Sequence, residues 1–219
     1  MIISELKPFA EIEDSLKAHK KIFIVGCGDC ATACASGGEA QCKQIKEQLE
    51  AKGKSVLGFC LPESACVAAK LKSELARNMQ VLRQADAVLV LACGLGAQSV
   101  KDNDRLELAV LPGCNTLFGA VMDSQGNFSE KCSMCGACVL GLTEGICPVT
   151  LCAKGLLNGP CGGMNKGKCE LDPQRDCAWV LIWRQMGKKQ NLGQMKKIAP
   201  PRDCSKSTKP RRLAMNTPV

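Results

Sequence analysis

Residues 21–34 read KIFIVGCGDCATAC. Ile22, Phe23, Ile24 and Val25 form an unbroken apolar run. Such a run, too short for a helix, is expected of a strand buried on both faces of a parallel sheet. It ends at Gly26, and Cys27, Cys30 and Cys34 follow at once. Strand and thiols together fix the direction of the reading: an α/β sheet with chemistry at the carboxyl end of its first buried strand.

The alternation continues outward. Residues 1–20 are expected to form a leading helix, with Phe9, Ile12 and Leu16 at helical spacing. Ala40–Lys52 reads as a helix closed by Gly53, and Ser55–Cys60 as a second strand. Glu63–Gln84 reads as one long amphipathic helix, with Leu71, Leu75, Met79 and Leu82 on one face. Asp86–Cys93 is a third strand and Asn115–Met122 a fourth. Strands alternating with helices predict a small Rossmann-like parallel sheet with helices on both faces.

In open α/β sheets, ligands bind beyond the carboxyl ends of the strands. Cys27, Cys60 and Cys93 end the first three strands, and Cys30, Cys34 and Cys66 lie just past two of them. These positions can converge on one sheet edge. Cys42 and Cys114 are read as small buried hydrophobes. Cys42 stands roughly 12 Å from Cys34 along a helix rising 1.5 Å per residue. Gly26, Gly28, Gly37 and Gly38 surround the thiols without making a G-x-G-x-x-G phosphate loop. They suit close approach of backbone N–H groups to cluster sulfurs instead. A thioredoxin-like dithiol at Cys27 and Cys30 is the competing reading, since both follow a strand and precede a helix.

From about residue 125 the apolar periodicity fades and Gly, Cys and Pro dominate. Cys132-x2-Cys135-x2-Cys138 resembles the bacterial ferredoxin pattern, in which closely spaced thiolates wrap a [4Fe–4S] cube. Cys147-Pro148 follows after eight residues rather than three, so a simple ferredoxin is not implied. With Cys152, Cys161, Cys169 and Cys177, this stretch holds eight cysteines, enough for two four-thiolate sites. Two clusters, or one cluster and one zinc, would satisfy them. Three thiols within seven residues suit a cube better than the paired hooks of a zinc ribbon. A segment with so little apolar sequence would need metal to hold it together.

Composition narrows the function. The chain has 219 residues and is 46% hydrophobic, so it can build a core without disulfide staples. Its seventeen cysteines are an odd number, which argues against a closed disulfide framework. The N-terminus lacks the pattern of a secretory signal, and no apolar run reaches the ~18 residues of a membrane span. A reducing cytoplasm is the expected location. The one histidine, His19, is read as a surface or edge residue, so metal sites are expected to be mostly all-cysteine. The net charge of +8 belongs to residues 184–219, which carry ten Lys/Arg against Asp203 alone. This basic tail is either solvated or an arm for an acidic partner. Aromatic content of 3% and the absence of Tyr argue against nucleic-acid binding. Three segments result: an α/β domain over 1–124, a cysteine-rich cluster domain over 125–183 and the tail over 184–219.

The runs VGCGDCATACASGGEAQC, LACGLGAQ and CSMCGACVLGLTEGICPVTLCAKGLLNGPCGG resemble the MetV-type cysteine-rich small subunit of two-subunit methylenetetrahydrofolate reductases, known from anaerobes that use the acetyl-CoA (Wood–Ljungdahl) pathway. The likeness covers roughly residues 20–185 and leaves out the tail. It implies an iron–sulfur electron-transfer subunit, most simply with two [4Fe–4S] clusters and with zinc as the alternative in one site. It also implies a MetF-type, flavin-containing large subunit as partner. There the flavin converts 5,10-methylene-tetrahydrofolate to 5-methyl-tetrahydrofolate. That subunit is a barrel of ~250 residues, so this chain is not expected to reduce folate alone. The upstream donor stays open among ferredoxin, a nicotinamide-oxidising subunit and a heterodisulfide-reductase-like assembly. The family pattern maps onto Cys27, Cys30, Cys34, Cys66 and Cys93, and onto Cys132, Cys135, Cys138, Cys147, Cys152, Cys161, Cys169 and Cys177. Five candidates for a four-ligand first site leave Cys30 or Cys34 as a bystander. A zinc scaffold, a thiol-exchange module and an RNA-binding zinc module are the rival functions.

Overall fold

The computed structural model describes residues 1–213; the last six positions of the tail lie outside them. The chain divides into two compact units, Met1–Phe118 and Gly119–Val219. The first begins with β1 (Ile2–Leu6) and α1 (Phe9–Ser15) rather than the single helix expected over residues 1–20. Ile2 and Ile3 favour a strand as a β-branched pair. Pro8 then fixes the helix start, because it lacks an N–H and presets φ. Beyond α1, Lys54 Nζ donates to the carbonyls of Leu16 (2.8 Å) and His19 (2.7 Å), closing the free end of the helix. His19 lies 3.8 Å from Asp86, an edge position as read.

Next come β2 (Lys21–Val25), α2 (Cys30–Ala33), α3 (Glu39–Ala51), β3 (Ser55–Cys60), α4 (Ala68–Arg77), α5 (Met79–Leu82), β4 (Ala87–Val90), α6 (Gly94–Asn103) and β5 (Ala109–Pro112). The four strands β3-β2-β4-β5 form one parallel sheet. Val25 pairs with both Cys60 and Val90, so the strand ends that precede the cysteines are level with one another. Successive residues point to opposite faces of a strand. Ile22, Ile24 and Leu89 therefore pack with Ile12, Leu16, Ile45 and Leu49 from α1 and α3. Phe23, Val25, Val88 and Val90 pack on the other face with Leu71, Leu75 and Val100 from α4 and α6. Each such side chain, fully buried, contributes roughly 1.5–3 kcal/mol. This is the parallel sheet covered on both faces that the apolar run at residues 22–25 implied.

Two expectations need correction. The helix read over Glu63–Gln84 starts only at Ala68 and breaks at Asn78. The Asn78 side chain donates to the Glu74 carbonyl at 2.9 Å, competing with the helical backbone there. The fourth parallel strand is β5, not Asn115–Met122. Pro112 suits β5 to the edge of the sheet. The later run forms β6 (Cys114–Met122), whose side chains, all but two exposed or half-buried, would not fit a doubly covered sheet. It joins a separate sheet of order β1-β6-β7, with β7 at Phe128–Glu130.

In the second unit β6 and β7 pair antiparallel, with Ala120 opposite Glu130 and Met122 opposite Phe128. The Asp123 carboxylate closes their turn by accepting from the backbone of Gln125 and Asn127. Beyond it, among the described residues, regular structure is limited to single turns, α7 (Pro148–Leu151) and α8 (Ala178–Lys188). A small core gathers around Trp179, Ile182 and Met186. Among the described residues, no helix is long and apolar enough to cross a membrane.

Gly37 is the tightest point beneath the first cysteine loop. A Cβ there would lie 1.8 Å from the Leu91 carbonyl oxygen, and Gly37 O already accepts from Cys27 N at 2.9 Å. Gly37→Ala should cost about 3 kcal/mol in urea unfolding, because backbone must move to admit it. Gly53→Ala, with a φ of +77° and open space around it, should cost about 1–2 kcal/mol.

Candidate functional site

In the first unit, the chain leaves β2 for β3 on one side, then crosses to β4 on the other. The carboxyl ends of β2 and β4 therefore flank the point where strand order reverses, the usual ligand crevice of such sheets. Cys27 follows β2, and Cys93 follows β4 as the residue capping α6. Cys30 opens α2, and Cys66 lies in the turn before α4. Backbone bonds continue past the strand ends, from Gly26 N to Cys60 O and from Gly28 N to Pro62 O, both 2.9 Å. Thr32 Oγ1 donates to Cys27 O at 2.7 Å, and Gly94 N donates to Thr116 Oγ1 at 2.7 Å. The loops carrying Cys27 and Cys93 are thus held on the sheet by hydrogen bonds.

Burial pushes the Cys66 thiol above its ordinary pKa, and the charges of Cys93, Cys27 and Cys30 push it further. These four thiols therefore share one electrostatic neighbourhood. Cys34 is not among the groups acting on Cys66. Its Sγ faces the Ile2 carbonyl at 4.0 Å, and its charge, like that of Cys93, acts on Cys114. Cys42, Cys60 and Cys114 are buried in the core, and burial raises each to about 12. They are neutral thiols at physiological pH. Cys60 therefore turns into the core despite ending a strand.

In the second unit the eight cysteines separate into two sets, in chain order. Cys132, Cys135, Cys138 and Cys147 wall a cavity of about 70 Å³. Cys152, Cys161, Cys169 and Cys177 wall another of about 20 Å³. Left-handed backbone at Met134 (φ +54°) and Gly136 (φ +80°) coils the first loop around Cys135. Met134 N donates to Cys132 Sγ at 3.3 Å. Cys147 caps α7, with Pro148 at the first helical position, where its missing N–H costs nothing. In the second set, Cys177 caps α8. Cys177 N donates to Gly167 O (2.8 Å) and Cys169 N to Arg175 O (2.9 Å), tying both thiols to a small hairpin. Cys161 Sγ donates to Glu170 Oε2 at 3.3 Å, and Lys154 pairs with that same oxygen at 2.6 Å.

All seventeen cysteines are unbridged. Among the described residues, no three His, Cys, Asp or Glu side chains converge closely enough to hold a single metal ion. The thiols line their cavities rather than meet at a point. The donor sets nevertheless fit a thiolate-held group: each cavity offers four sulfurs and no imidazole. Beside the larger one, Arg202 places a charge that acts on Cys135 while its own buried Nη1 has no hydrogen-bond partner. An orphaned cationic N–H within electrostatic reach of Cys135 calls for an anion. A backbone hydrogen bond with Ala137, helped by the Arg202 charge, holds Cys135 below the ordinary thiol value.

Sequence reading missed Arg202, Lys154 and Glu170. Arg202 is one of ten cations in the last 36 residues, and nothing local distinguishes it. Lys154 and Glu170 are sixteen positions apart and meet only because the loop between them folds back.

Residues 111–205 match the family described as "Methylene-tetrahydrofolate reductase C terminal". The matched stretch contains all eight cysteines of the two cavities in the second unit. It excludes the four grouped thiols of the first unit. No curated protein and no solved structure matches the chain. Over its second half the chain is therefore similar to a methylenetetrahydrofolate reductase-related subunit.

Thiolate, not thiol, is the nucleophile in alkylation. In metal-stripped protein at pH 7, whose first unit keeps its own apolar core, mass spectrometry after brief iodoacetamide treatment should find the exposed Cys66 labelled. Cys42, Cys60 and Cys114 should stay unlabelled until denaturant is added. Early labelling of those three would show that the core described above is open.

Proposed function

We propose that the chain is an iron–sulfur electron-transfer subunit. It passes electrons to a flavin-containing, MetF-type subunit that reduces 5,10-methylene-tetrahydrofolate to 5-methyl-tetrahydrofolate. The observation that carries this reading is the sorting of eight cysteines, within the family-matched stretch, into two separate four-thiol cavities. The group at the sheet's switch point adds a third set.

In this reading Cys27, Cys30, Cys66 and Cys93 hold one [4Fe–4S] cluster, and Cys132, Cys135, Cys138 and Cys147 hold another. Such clusters supply reversible one-electron transfer. The chain's own residues do the rest. Gly26, Gly28 and Gly94 donate their backbone N–H groups to Cys60 O, Pro62 O and Thr116 Oγ1, which fixes the loops that carry the first set. The turns at Met134 and Gly136 place three thiols of the second set on one loop. Cys34 stands aside, as do the buried neutral thiols Cys42, Cys60 and Cys114.

The remaining set, Cys152, Cys161, Cys169 and Cys177, which line one cavity without converging on a point, would draw together on a single zinc. Four thiolates around one ion are a structural zinc site, and here they would brace the hairpin against α8. The described residues form no barrel, and in this reading the flavin and the folate site belong to the partner. The chain's many unbridged thiols suit a reducing cytoplasm.

Cysteine-to-serine exchange tests the reading in the anaerobic two-subunit complex. Cys132→Ser and Cys135→Ser should each remove about four irons, one cube's worth, and cut electron delivery to the flavin to background. Cys34→Ser and Cys42→Ser should leave both iron and electron flow intact. Full iron and full activity in the first pair would show that this cavity is not a cluster site.

A further inference from the structure

The C-terminal tail is more than a run of solvated charge. Asn158, between Cys152 and Cys161, clamps it by a pair of hydrogen bonds: Ala199 N donates to Asn158 Oδ1 at 2.7 Å, and Asn158 Nδ2 donates to Ala199 O at 3.1 Å. Pro200 and Pro201 follow, and their fixed φ limits where the next residue can lie. That residue is Arg202. Further on, Arg211 Nη1 donates to the Met134 carbonyl at 3.1 Å and to Lys206 O at 3.2 Å. The Lys206 Cβ lies 2.8 Å from where a side chain on Gly136 would begin. Met134 and Gly136 flank Cys135, so the tail is laid against the loop that carries three of the four thiols of the larger cavity.

Arg202 is the odd member of this arrangement. Its Nη1 is shut off from solvent without a hydrogen-bond partner. A buried donor without an acceptor is costly, and more so when charged. Native chains keep such a group only where something satisfies it. Arg211 finds an acceptor in this loop, the Met134 carbonyl, whereas Arg202 has Cys135 within electrostatic reach and no acceptor for its Nη1. A guanidinium never loses its charge in a protein and presents a rigid fork of donors. It is suited to meet a group of spread negative charge.

We infer that Arg202 is a positioning residue of the Cys132–Cys147 site: clamped in place through Asn158, it hydrogen-bonds the anionic thiolate-held group that these four cysteines bind. The inference takes the identity of that group from the iron–sulfur reading, but the need for an anion comes from the geometry alone. One electron entering a cluster adds one negative charge, which a nearby cationic donor stabilises. Removing the donor therefore lowers the reduction potential. It also loosens the hold on the metal.

The experiment is an EPR-monitored redox titration of the anaerobic complex, with iron, zinc and sulfide measured on each variant. Arg202→Met should keep its iron but shift one cluster, and only one, to lower potential. Arg202→Lys should shift the same cluster less. Asn158→Ala should shift it in the same direction, because the clamp is released. Loss of that cluster in Arg202→Met but not in Arg202→Lys would equally support the role. Unchanged potentials in Arg202→Met at full iron content would overturn it, as would equal cluster loss in both variants. A chelator challenge separates this inference from the iron–sulfur reading. If the site holds zinc instead, that reading fails. Arg202→Met should still release metal faster than the unaltered chain, and equal release rates would sink the role of Arg202.

Discussion

Four thiolates crowded into one small space repel one another, and they stay there only if positive charge offsets theirs. Much of this chain can be understood from that constraint. Residues 1–118 carry fourteen basic and fourteen acidic side chains, and residues 119–219 carry fifteen against seven. The whole net charge of +8 thus belongs to the unit with two four-thiol cavities. Some of it is placed close by: Lys154 beside Cys161 and Cys169, and Arg202 beside Cys135. The first unit is neutral overall.

The two units position their thiols by different physics. In the first, an apolar sheet covered on both faces sets the strand ends level, and the thiols sit on short loops anchored to it. That scaffold has its own core and does not need the thiols to be occupied. In the second, three buried side chains form the core, and many loop residues adopt left-handed backbone. Little apolar burial is available to offset the entropy of ordering such a segment. On the proposed function, whatever the thiols hold supplies the missing stability, so folding and loading are one event there.

How much was legible in the sequence follows from the same division. β2, β3 and α3 were readable to within a residue, because burial on both faces or one face leaves an unbroken or periodic apolar pattern. The core roles of Cys42 and Cys114 were readable for the same reason. β1 was hidden by a helical pattern that begins only after Pro8. β5 was hidden by its four-residue length and by Pro112. The break at Asn78 depends on one side-chain hydrogen bond that no periodicity records. In the second unit, the spacing showed that eight thiols gather but not how they divide, since gaps of eight, four, eight, seven and seven residues carry no pairing rule. Arg202 was invisible among its neighbours, because what distinguishes it is a missing partner in three dimensions.

The central claim is that this chain carries electrons on iron–sulfur clusters rather than serving as a zinc scaffold. Its most direct test is iron, zinc and acid-labile sulfide per chain on anaerobically purified protein, with EPR of the reduced form. The account predicts about eight irons, about eight sulfides and about one zinc, with two reduced-cluster signals. Zinc without iron or sulfide would contradict it.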